Sequence, residues 1–161
     1  MSIKLKMLSI LKKLIHFKKR ILLSPFNKNL KIGKNFKSGK RCSVSRKNKI
    51  TIGHNFFMGN YCHLASNLEI GNDVLLASYV SFVGGDHKID NINTTINKSG
   101  RDIFRTTIIK DGVWVGHGAI IVHGVILNKG CVVASGAIVT KDVPENAVVG
   151  GNPAKIIRYR K

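Results

Sequence analysis

One irregular segment of this 161-residue sequence concentrates side chains suited to acid–base chemistry. Between Phe82 and Ile109 the sequence reads VGGDHKIDNINTTINKSGRDIFRTTI, with Asp86 and Asp90 on either side of His87. An imidazole, with an unperturbed pKa near 6.5, can take a proton from a hydroxyl group at neutral pH, and such a base accelerates a reaction by about 10² to 10⁴. From its position alone, His87 could equally be an ordinary polar loop residue.

A period of six residues indicates the elements that would position this segment. Between residues 109 and 144, an aliphatic column recurs every sixth position, a small apolar column follows four residues later, and a turn column of glycines ending in Asp142 lies between them. The columns are Ile109, Val115, Ile121, Leu127, Val133 and Val139; Val113, Ala119, Val125, Cys131, Ala137 and Val143; and Gly112, Gly118, Gly124, Gly130, Gly136 and Asp142. Glycine tolerates the left-handed backbone of a sharp turn. The period predicts a prism of three short parallel strands per coil, about eighteen residues, with the aliphatic column inside.

The same register is present on the N-terminal side of the segment. Its aliphatic column is Ile52, Met58, Leu64, Ile70, Leu76 and Phe82, and its turn column is Asn55, Tyr61, Asn67, Asp73 and Tyr79. A weaker start at Ile32, Ser38 and Val44 is out of phase by two residues, which predicts a bulge near residues 49–52. We therefore predict an all-β chain: a parallel β-helix of about five coils over residues 31–161, with an inserted loop at 84–108. Loops of that length are usually functional or disordered.

Most of the charge lies in an N-terminal arm, residues 1–30, and in the first coil. The net charge is +19, and residues 1–49 contain 16 of the 27 basic residues and no acidic one. Apolar residues at helical spacing over residues 3–23 predict an amphipathic helix that ends before Ser24 and Pro25. That helix could cover the first coil, or lie in the plane of an anionic membrane surface, where each basic residue adds about 1 kcal/mol. Nucleic acid is not expected as a partner, because the arm has few aromatic residues and no known motif.

The remaining compositional signals point to the cytoplasm. The three cysteines, Cys42, Cys62 and Cys131, lack the spacing of a zinc site and fit small corner positions in a reducing compartment. No apolar run reaches the length of a secretory signal or a membrane-spanning helix. The expected location is cytoplasmic, with a possible peripheral position at the inner face of the plasma membrane.

From about residue 50 to 161 the sequence resembles the hexapeptide-repeat acyltransferases, especially bacterial sugar O-acetyltransferases of the maltose/galactoside type and those that modify surface polysaccharides. The resemblance rests on LEIGNDVLLAS (68–78), Asp86-His87, VWVGHGAIIVHGVIL (113–127) and VVASGAIVTKDVPENAVVGGNPAKIIR (132–158). It implies a left-handed β-helix that forms a homotrimer. It also implies acetyl transfer from acetyl-CoA to a sugar or lipid-linked saccharide, during surface-polysaccharide or lipopolysaccharide biosynthesis.

The resemblance also assigns residues to the site. His87 matches the family's catalytic base, and Asp86, Asp90 and Asn60 would face the acceptor. Aligning the segment NFFMGNYC places Gly59, one residue before Asn60, where maltose-type members carry an asparagine. Coenzyme A would lie in a groove between two prisms, against Trp114, Gly116, Ser135, Gly136, Lys141, Asn152, Lys155 and Arg158.

Other functions remain open at this point. The same repeat serves N-acyltransferases that act on amino sugars, and a prism without activity could be a scaffold. The γ-class carbonic anhydrases share the prism and bind a metal through three histidines, two of them five positions apart. In this sequence His117 and His123 are six positions apart in HGAIIVH, so we expect no metal.

Overall fold

Short strands wound into a three-sided prism form the part of the chain that the computed structural model describes, residues 27–161. The predicted amphipathic helix, and the rest of the arm before Asn27, lie outside the described residues. Within residues 27–161, the only helical element is a short 3₁₀ helix, Ile96–Lys98, and no helix is long and apolar enough to cross a membrane.

The strands stack into three sheets, which we call A, B and C. Sheet A contains β1 (Leu30–Ile32), β4 (Ile50–Ile52), β7 (Leu68–Ile70), β10 (Thr107–Ile109) and β13 (Ile126–Leu127). Sheet B contains β2 (Lys37–Ser38), β5 (Phe57–Met58), β8 (Leu75–Leu76), β11 (Trp114–Val115), β14 (Val132–Val133), β16 (Ala147–Gly150) and β17 (Lys155–Tyr159). Sheet C contains β3 (Ser43–Val44), β6 (His63–Leu64), β9 (Ser81–Val83), β12 (Ile120–Val122) and β15 (Ile138–Val139).

This arrangement confirms the predicted parallel β-helix. Neighbouring strands are parallel except β17, which turns back antiparallel on β16. The strands form five complete coils, and β16 begins a sixth. The chain turns at three edges of the prism, which we call the A–B, B–C and C–A edges after the sheets they join.

The predicted aliphatic and small apolar columns form the interior. Ile109, Val115, Ile121, Leu127 and Val133 are at most 1% exposed, and every member of the small apolar column is buried as well. Each such side chain contributes roughly 1.5–3 kcal/mol through its removal from water. The hexad pattern therefore identified the core correctly.

Left-handed residues form most of the turns, as the turn columns predict. The five glycines of the C-terminal column have φ between 65° and 80°, and Asn55, Tyr61, Asp73 and Tyr79 have φ between 56° and 63°. Asn67 and Asp142 are exceptions at the C–A edge. Neither has a positive φ; instead their side-chain oxygens accept the backbone N–H groups of Lys49 (2.9 Å) and Ile126 (2.8 Å).

The first coil is longer than the others, as its phase shift indicates. Leu30 pairs with Ile50, whereas Ile50 pairs with Leu68, so the first coil has two more residues than the second. The additional residues lie in the turn at 45–49, just before the predicted position. There the amide nitrogens of Asn27 and Asn29 donate to the carbonyl oxygens of Ser45 and Arg46, at 3.1 Å each.

Polar turn side chains join one coil to the previous one. In each case a side-chain acceptor at a turn receives a backbone N–H from the same turn one coil earlier. The pairs are His54 with Lys34 (2.9 Å), Asn60 with Lys40 (2.8 Å), Asn72 with His54 (2.8 Å), Ser78 with Asn60 (3.0 Å) and Asp111 with Asn72 (2.6 Å). These bonds satisfy donors that the short strands leave without partners.

We predict that Ile121→Ala destabilises the protein by about 2–5 kcal/mol, because it leaves a cavity in a closely packed interior. The matched control is Ile120→Ala, since Ile120 is the adjacent residue of β12 and is only half-buried. Urea unfolding followed by circular dichroism measures both changes. Equal losses of stability in the two variants would contradict the inward position of Ile121.

We predict that thiol reagents at about pH 8 modify Cys42 well before Cys62 and Cys131. Burial raises the pKa of Cys62 to about 11 and that of Cys131 to about 12, whereas Cys42 is half-buried. Because burial favours the protonated thiols, stability should fall as the pH rises through 9.0, the ordinary thiol value, towards these values. Mass spectrometry after timed labelling tests the order, and equally fast labelling of Cys131 would contradict it.

Candidate active site

The inserted loop occupies residues 84–106, between β9 and β10, and interrupts the prism at the C–A edge. The predicted loop extends to residue 108, but Thr107 and Ile108 belong to β10. The two ends of the loop pair with each other. Their contacts are an antiparallel bridge between His87 and Arg101, and hydrogen bonds from Lys88 N to Gly100 O (3.1 Å), Asp102 N to Asp86 O (2.8 Å) and Arg101 Nη1 to Gly85 O (2.6 Å). This pairing fixes the backbone that carries His87.

The imidazole of His87 has an unusual environment for a surface loop. The residue is half-buried, and its Nδ1 atom is buried with no hydrogen-bond partner among residues 27–161. A buried polar atom without a partner costs roughly 1–3 kcal/mol. Nearby in the sequence, Asp86 and Asp90 are exposed, and the side chain of Asp86 is 69% accessible. Because the protein covers Nδ1, the other ring nitrogen, Nε2, is the atom of His87 that a ligand would have to meet.

A second histidine, His123, lies against both ends of the loop and is hydrogen-bonded to the second of them. Its Nδ1 accepts the backbone N–H of Arg105 at 3.2 Å, and its Nε2 lies 4.0 Å from an Asp86 carboxylate oxygen. The Phe104 ring stacks on the imidazole at 5.8 Å between centroids. Since Nδ1 is an acceptor, we assign the proton of the neutral ring to Nε2, facing Asp86.

The sequence does not reveal this role of His123. The sequence does contain one signal for it. His123 comes one residue before a left-handed turn residue, Gly124. His54 and Asn60 occupy the same position in their own hexads, and each also accepts a backbone N–H from the previous coil.

The two histidines of HGAIIVH lie at opposite ends of β12. His117 is exposed at the B–C edge, with its ring 5.2 Å from that of Tyr79, whereas His123 is at the C–A edge. Across residues 27–161 there is no group of three or more His, Cys, Asp or Glu side chains placed to hold a metal ion. The described residues therefore offer no geometry that favours the metal alternative.

Most of the predicted coenzyme residues line the B–C edge. Gly116, then Ser135 and Gly136, then Asn152 occupy this edge in successive coils, and Lys155 joins them because it pairs with Gly150 at the end of β16. Ser135, Gly136, Asn152 and Lys155 are exposed. The C-terminal motif and the hexad repeat therefore lie together at the B–C edge of the prism.

Along this edge, some backbone N–H groups are hydrogen-bonded within the prism and others are available to a ligand. The N–H of Gly136 donates to the carbonyl oxygen of His117 at 2.8 Å, so the expectation that it would serve a ligand does not fit this geometry. The N–H of Ser135 has no acceptor among residues 27–161. Gly116 is buried, and a Cβ there would lie 2.6 Å from the Ser135 nitrogen, so this glycine permits two coils to approach each other.

Three predicted coenzyme residues lie away from the B–C edge. Lys141 is at the C–A edge, after β15, on the same edge as the loop. Arg158 is on β17 opposite Val148, where its guanidinium donates to the carbonyl oxygen of Tyr159 at 3.2 Å. Trp114 projects from the outer face of sheet B and is 52% exposed. The predicted site residues therefore lie at two edges and on sheet B, and sheet C separates the two edges.

Gly59 and Asn60 also lie at the B–C edge, where packing explains the departure from the family pattern. A Cβ at Gly59 would lie 2.6 Å from the backbone nitrogen of Ser78, so an asparagine cannot fit there without a backbone shift. The Oδ1 atom of Asn60 accepts the N–H of Lys40 at 2.8 Å. The amide nitrogen of this side chain has no acceptor among residues 27–161, so it can donate to a bound substrate.

An apolar strip borders the B–C edge. Phe57, Leu75 and Trp114 are in register on sheet B and are 40%, 47% and 52% exposed. Tyr61 and Tyr79 stack beside them at the edge, with ring centroids 4.9 Å apart. A contiguous exposed apolar surface of this kind indicates contact with another molecule.

We predict that His123→Ala increases hydrogen exchange at the amide of Arg105 and in the paired ends of the loop, because it removes the acceptor and the stacking partner that hold them. The matched control is His117→Ala, which removes the other histidine of the same motif and should leave this exchange unchanged. Peptide-level hydrogen–deuterium exchange measures both. Unchanged protection in His123→Ala would show that the loop is held by other contacts.

Comparison with known proteins agrees with this architecture. A family model described as bacterial transferase hexapeptide (six repeats) matches residues 106–141. A maltose O-acetyltransferase from Clostridium difficile is 32% identical over 81% of this chain and 70% of its own, with a TM-score of 0.74. A hexapeptide-repeat acetyltransferase from Vibrio cholerae is 25% identical over 91% of this chain and 81% of its own, with a TM-score of 0.76.

A galactoside acetyltransferase, solved in complex with coenzyme A, is also similar. It is 26% identical over 77% of this chain and 65% of its own, with a TM-score of 0.62. This chain therefore belongs to the bacterial hexapeptide-repeat transferases and is an acyltransferase.

Proposed function

We propose that this protein transfers the acetyl group of acetyl-CoA to a hydroxyl group of a sugar, with His87 as the general base. The observation that carries the proposal is the half-buried imidazole on the paired base of the loop, where the protein covers Nδ1 and leaves Nε2 as the nitrogen to meet the acceptor hydroxyl. The similarity to the maltose and galactoside O-acetyltransferases supports a sugar hydroxyl as the acceptor.

The reaction is a direct transfer between two bound substrates. The acceptor oxygen attacks the thioester carbonyl carbon while its proton passes to the imidazole of His87. A backbone N–H donor stabilises the negative oxygen of the tetrahedral intermediate. Collapse of the intermediate breaks the C–S bond, gives the sugar ester, and returns the proton from His87 to the sulfur of coenzyme A. The proposed reaction uses no metal ion.

We place coenzyme A along the B–C edge. The similar galactoside acetyltransferase was solved with coenzyme A. In this chain, the N–H of Ser135 supplies a donor for the pantetheine arm, and Asn152 and Lys155 lie farther along the same edge. Lysine acts on phosphate as a point charge, and Arg158 could add a bidentate contact at the nucleotide end.

We propose that the active protein is a homotrimer in which each site lies between two chains. The loop with His87 is held at the C–A edge by His123, while the coenzyme residues follow the B–C edge of the same prism. Contact between the C–A edge of one protomer and the B–C edge of the next unites the two sets, and three-fold rotation closes the ring. The apolar strip of Phe57, Leu75 and Trp114 supplies the contact surface. Lys141 would then approach the coenzyme from the neighbouring chain.

The same chemistry supports a proposal for the acceptor and for the location. A sugar or lipid-linked saccharide used for surface polysaccharide or lipopolysaccharide is the proposed acceptor, with Asp86, Asp90 and the Asn60 amide nitrogen as its polar contacts. Acetyl-CoA as donor and three free cysteines support the cytoplasm as the proposed location of the reaction. A basic N-terminal half suits a peripheral position at the inner face of the membrane.

We predict that His87→Ala lowers turnover by at least about 10²-fold and leaves coenzyme A affinity unchanged, because the variant lacks only the base. His63→Ala is the matched control, since His63 is exposed on β6 of sheet C. Thiol release with a panel of sugars and amino sugars measures turnover, and calorimetry measures binding. Full activity of His87→Ala would refute the assigned base. Alkali-stable products formed from amino sugars alone would favour N-acylation, and an inactive wild type would favour a scaffold.

We predict that a mixture of two inactive variants recovers activity. His87→Ala removes the base, and Ser135→Trp blocks the coenzyme edge. Unfolding and refolding them together forms mixed trimers in which about one seam in four combines an intact His87 with an intact Ser135. Each variant refolded alone is the control. Activity absent from the mixture, despite mixed trimers detected by mass spectrometry, would contradict a site shared between chains.

A further inference from the structure

The first coil of the prism carries a set of basic side chains that the transfer reaction does not use. Nine exposed Lys and Arg residues lie within or just before this coil, and we call them the basic collar. They are Lys28, Lys31, Lys34, Lys37, Lys40, Arg41, Arg46, Lys47 and Lys49. The first carboxylate of the chain is Glu69, so no acidic residue interrupts them.

The basic collar surrounds the prism rather than lining one side. Lys31 is on sheet A and Lys37 on sheet B, while Arg41 is at the B–C edge and Arg46 and Lys47 are at the C–A edge. One coil rises by a single strand spacing, about 4.8 Å, so the backbone positions of these residues lie at nearly one level along the prism axis. A flat surface that meets the end of the prism can therefore approach all sides of the basic collar together.

The charges of the basic collar are not neutralised by the protein. Across residues 27–161, no basic collar side chain lies within 4.0 Å of a carboxylate oxygen. The guanidinium of Arg41 contacts the Tyr61 ring and donates to its hydroxyl group at 3.2 Å, and such a contact leaves the positive charge in place. These charges remain available to an external anion.

The basic collar also lies at an end of the stack. Strands β1, β2 and β3 are the terminal strands of their sheets, so no further described coil lies beyond them. The described basic residues are therefore most concentrated at the end of the prism that is farthest from the C-terminal motif. Residues 1–26 contain seven more Lys and Arg residues in the sequence.

We propose that the basic collar docks this end of the prism on an anionic lipid bilayer, with the prism axis along the membrane normal. A bilayer is a plane and can contact every side of the collar, whereas a nucleic acid strand crossing the end would reach one side of it. Each Lys or Arg near an anionic surface contributes to binding independently of any specific contact. The catalytic loop leaves the third coil, about 10 Å from the collar. On the proposed function, docking would bring a lipid-linked saccharide near that loop.

The test is co-sedimentation of the full-length protein with vesicles. The collar variant carries Lys31→Gln on sheet A, Lys37→Gln on sheet B and Lys47→Gln at the C–A edge. The matched control carries Lys98→Gln, Lys110→Gln and Lys129→Gln, which remove the same charge from exposed positions elsewhere. With phosphatidylcholine vesicles containing about 25% phosphatidylglycerol, we expect wild type and control to bind and the collar variant to bind at least about tenfold more weakly. Pure phosphatidylcholine vesicles should bind none of them, and added salt should release the wild type.

Several results would overturn the proposal. Wild-type binding by the collar variant would assign any membrane contact to residues 1–26. Tighter binding of the wild type to single-stranded or duplex DNA than to the anionic vesicles would make nucleic acid the partner. A thermal unfolding scan checks that the variant is folded, and a second variant, Lys34→Gln, Lys40→Gln and Arg46→Gln, repeats the test with other collar residues. Turnover of a water-soluble sugar should be the same in wild type and collar variants, so loss of docking is distinguishable from failure of the proposed reaction.

Discussion

The hydrogen bonding between successive coils is the constraint on which the rest of the structure depends. Each strand has only two to five residues, and its backbone groups pair with the strands above and below in the same sheet. Coils can stack this closely only if nothing intervenes, and a side chain at Gly116 would meet the Ser135 nitrogen at 2.6 Å. The same requirement explains Gly59 beneath Ser78, where the related maltose-type sequences have an asparagine. Gly59 looks like the loss of a functional residue, but in this chain the glycine is what allows the two coils to stack.

Stacking also decides which polar groups remain available for chemistry. Turn side chains such as Asn60 and His123 accept backbone N–H groups from a neighbouring coil, and the N–H of Gly136 is used in the same way. The N–H of Ser135 and the Nδ1 atom of His87 have no such partner among residues 27–161. Because a prism of this kind satisfies much of its backbone internally, an exposed residue whose N–H has no partner, such as Ser135, is a candidate for contact with a coenzyme.

The interior could be predicted from the sequence because a period of six has a direct physical meaning. One side chain in each hexad must point inward, so Ile109, Val115 and Ile121 are recognisable without any other information. The turns were predictable for the same reason wherever the residue itself takes the left-handed conformation, as at Tyr61. The turn at Asp142 could not be predicted in this way. Its side-chain oxygen accepts a backbone N–H from another coil, and the local sequence does not identify that donor.

By itself the sequence determined the repeat, the buried columns, the position of the inserted loop and the family to which the chain belongs, because each depends on spacing along the chain. Only the tertiary structure decided how those residues are grouped. It placed the loop and His123 on one edge, Ser135 and Lys155 on another, and basic residues such as Lys31 around one end of the prism. Residues about eighteen positions apart become neighbours, while residues six positions apart face different directions. Distance along this sequence is therefore a poor guide to distance in space until the number of residues in each coil is known.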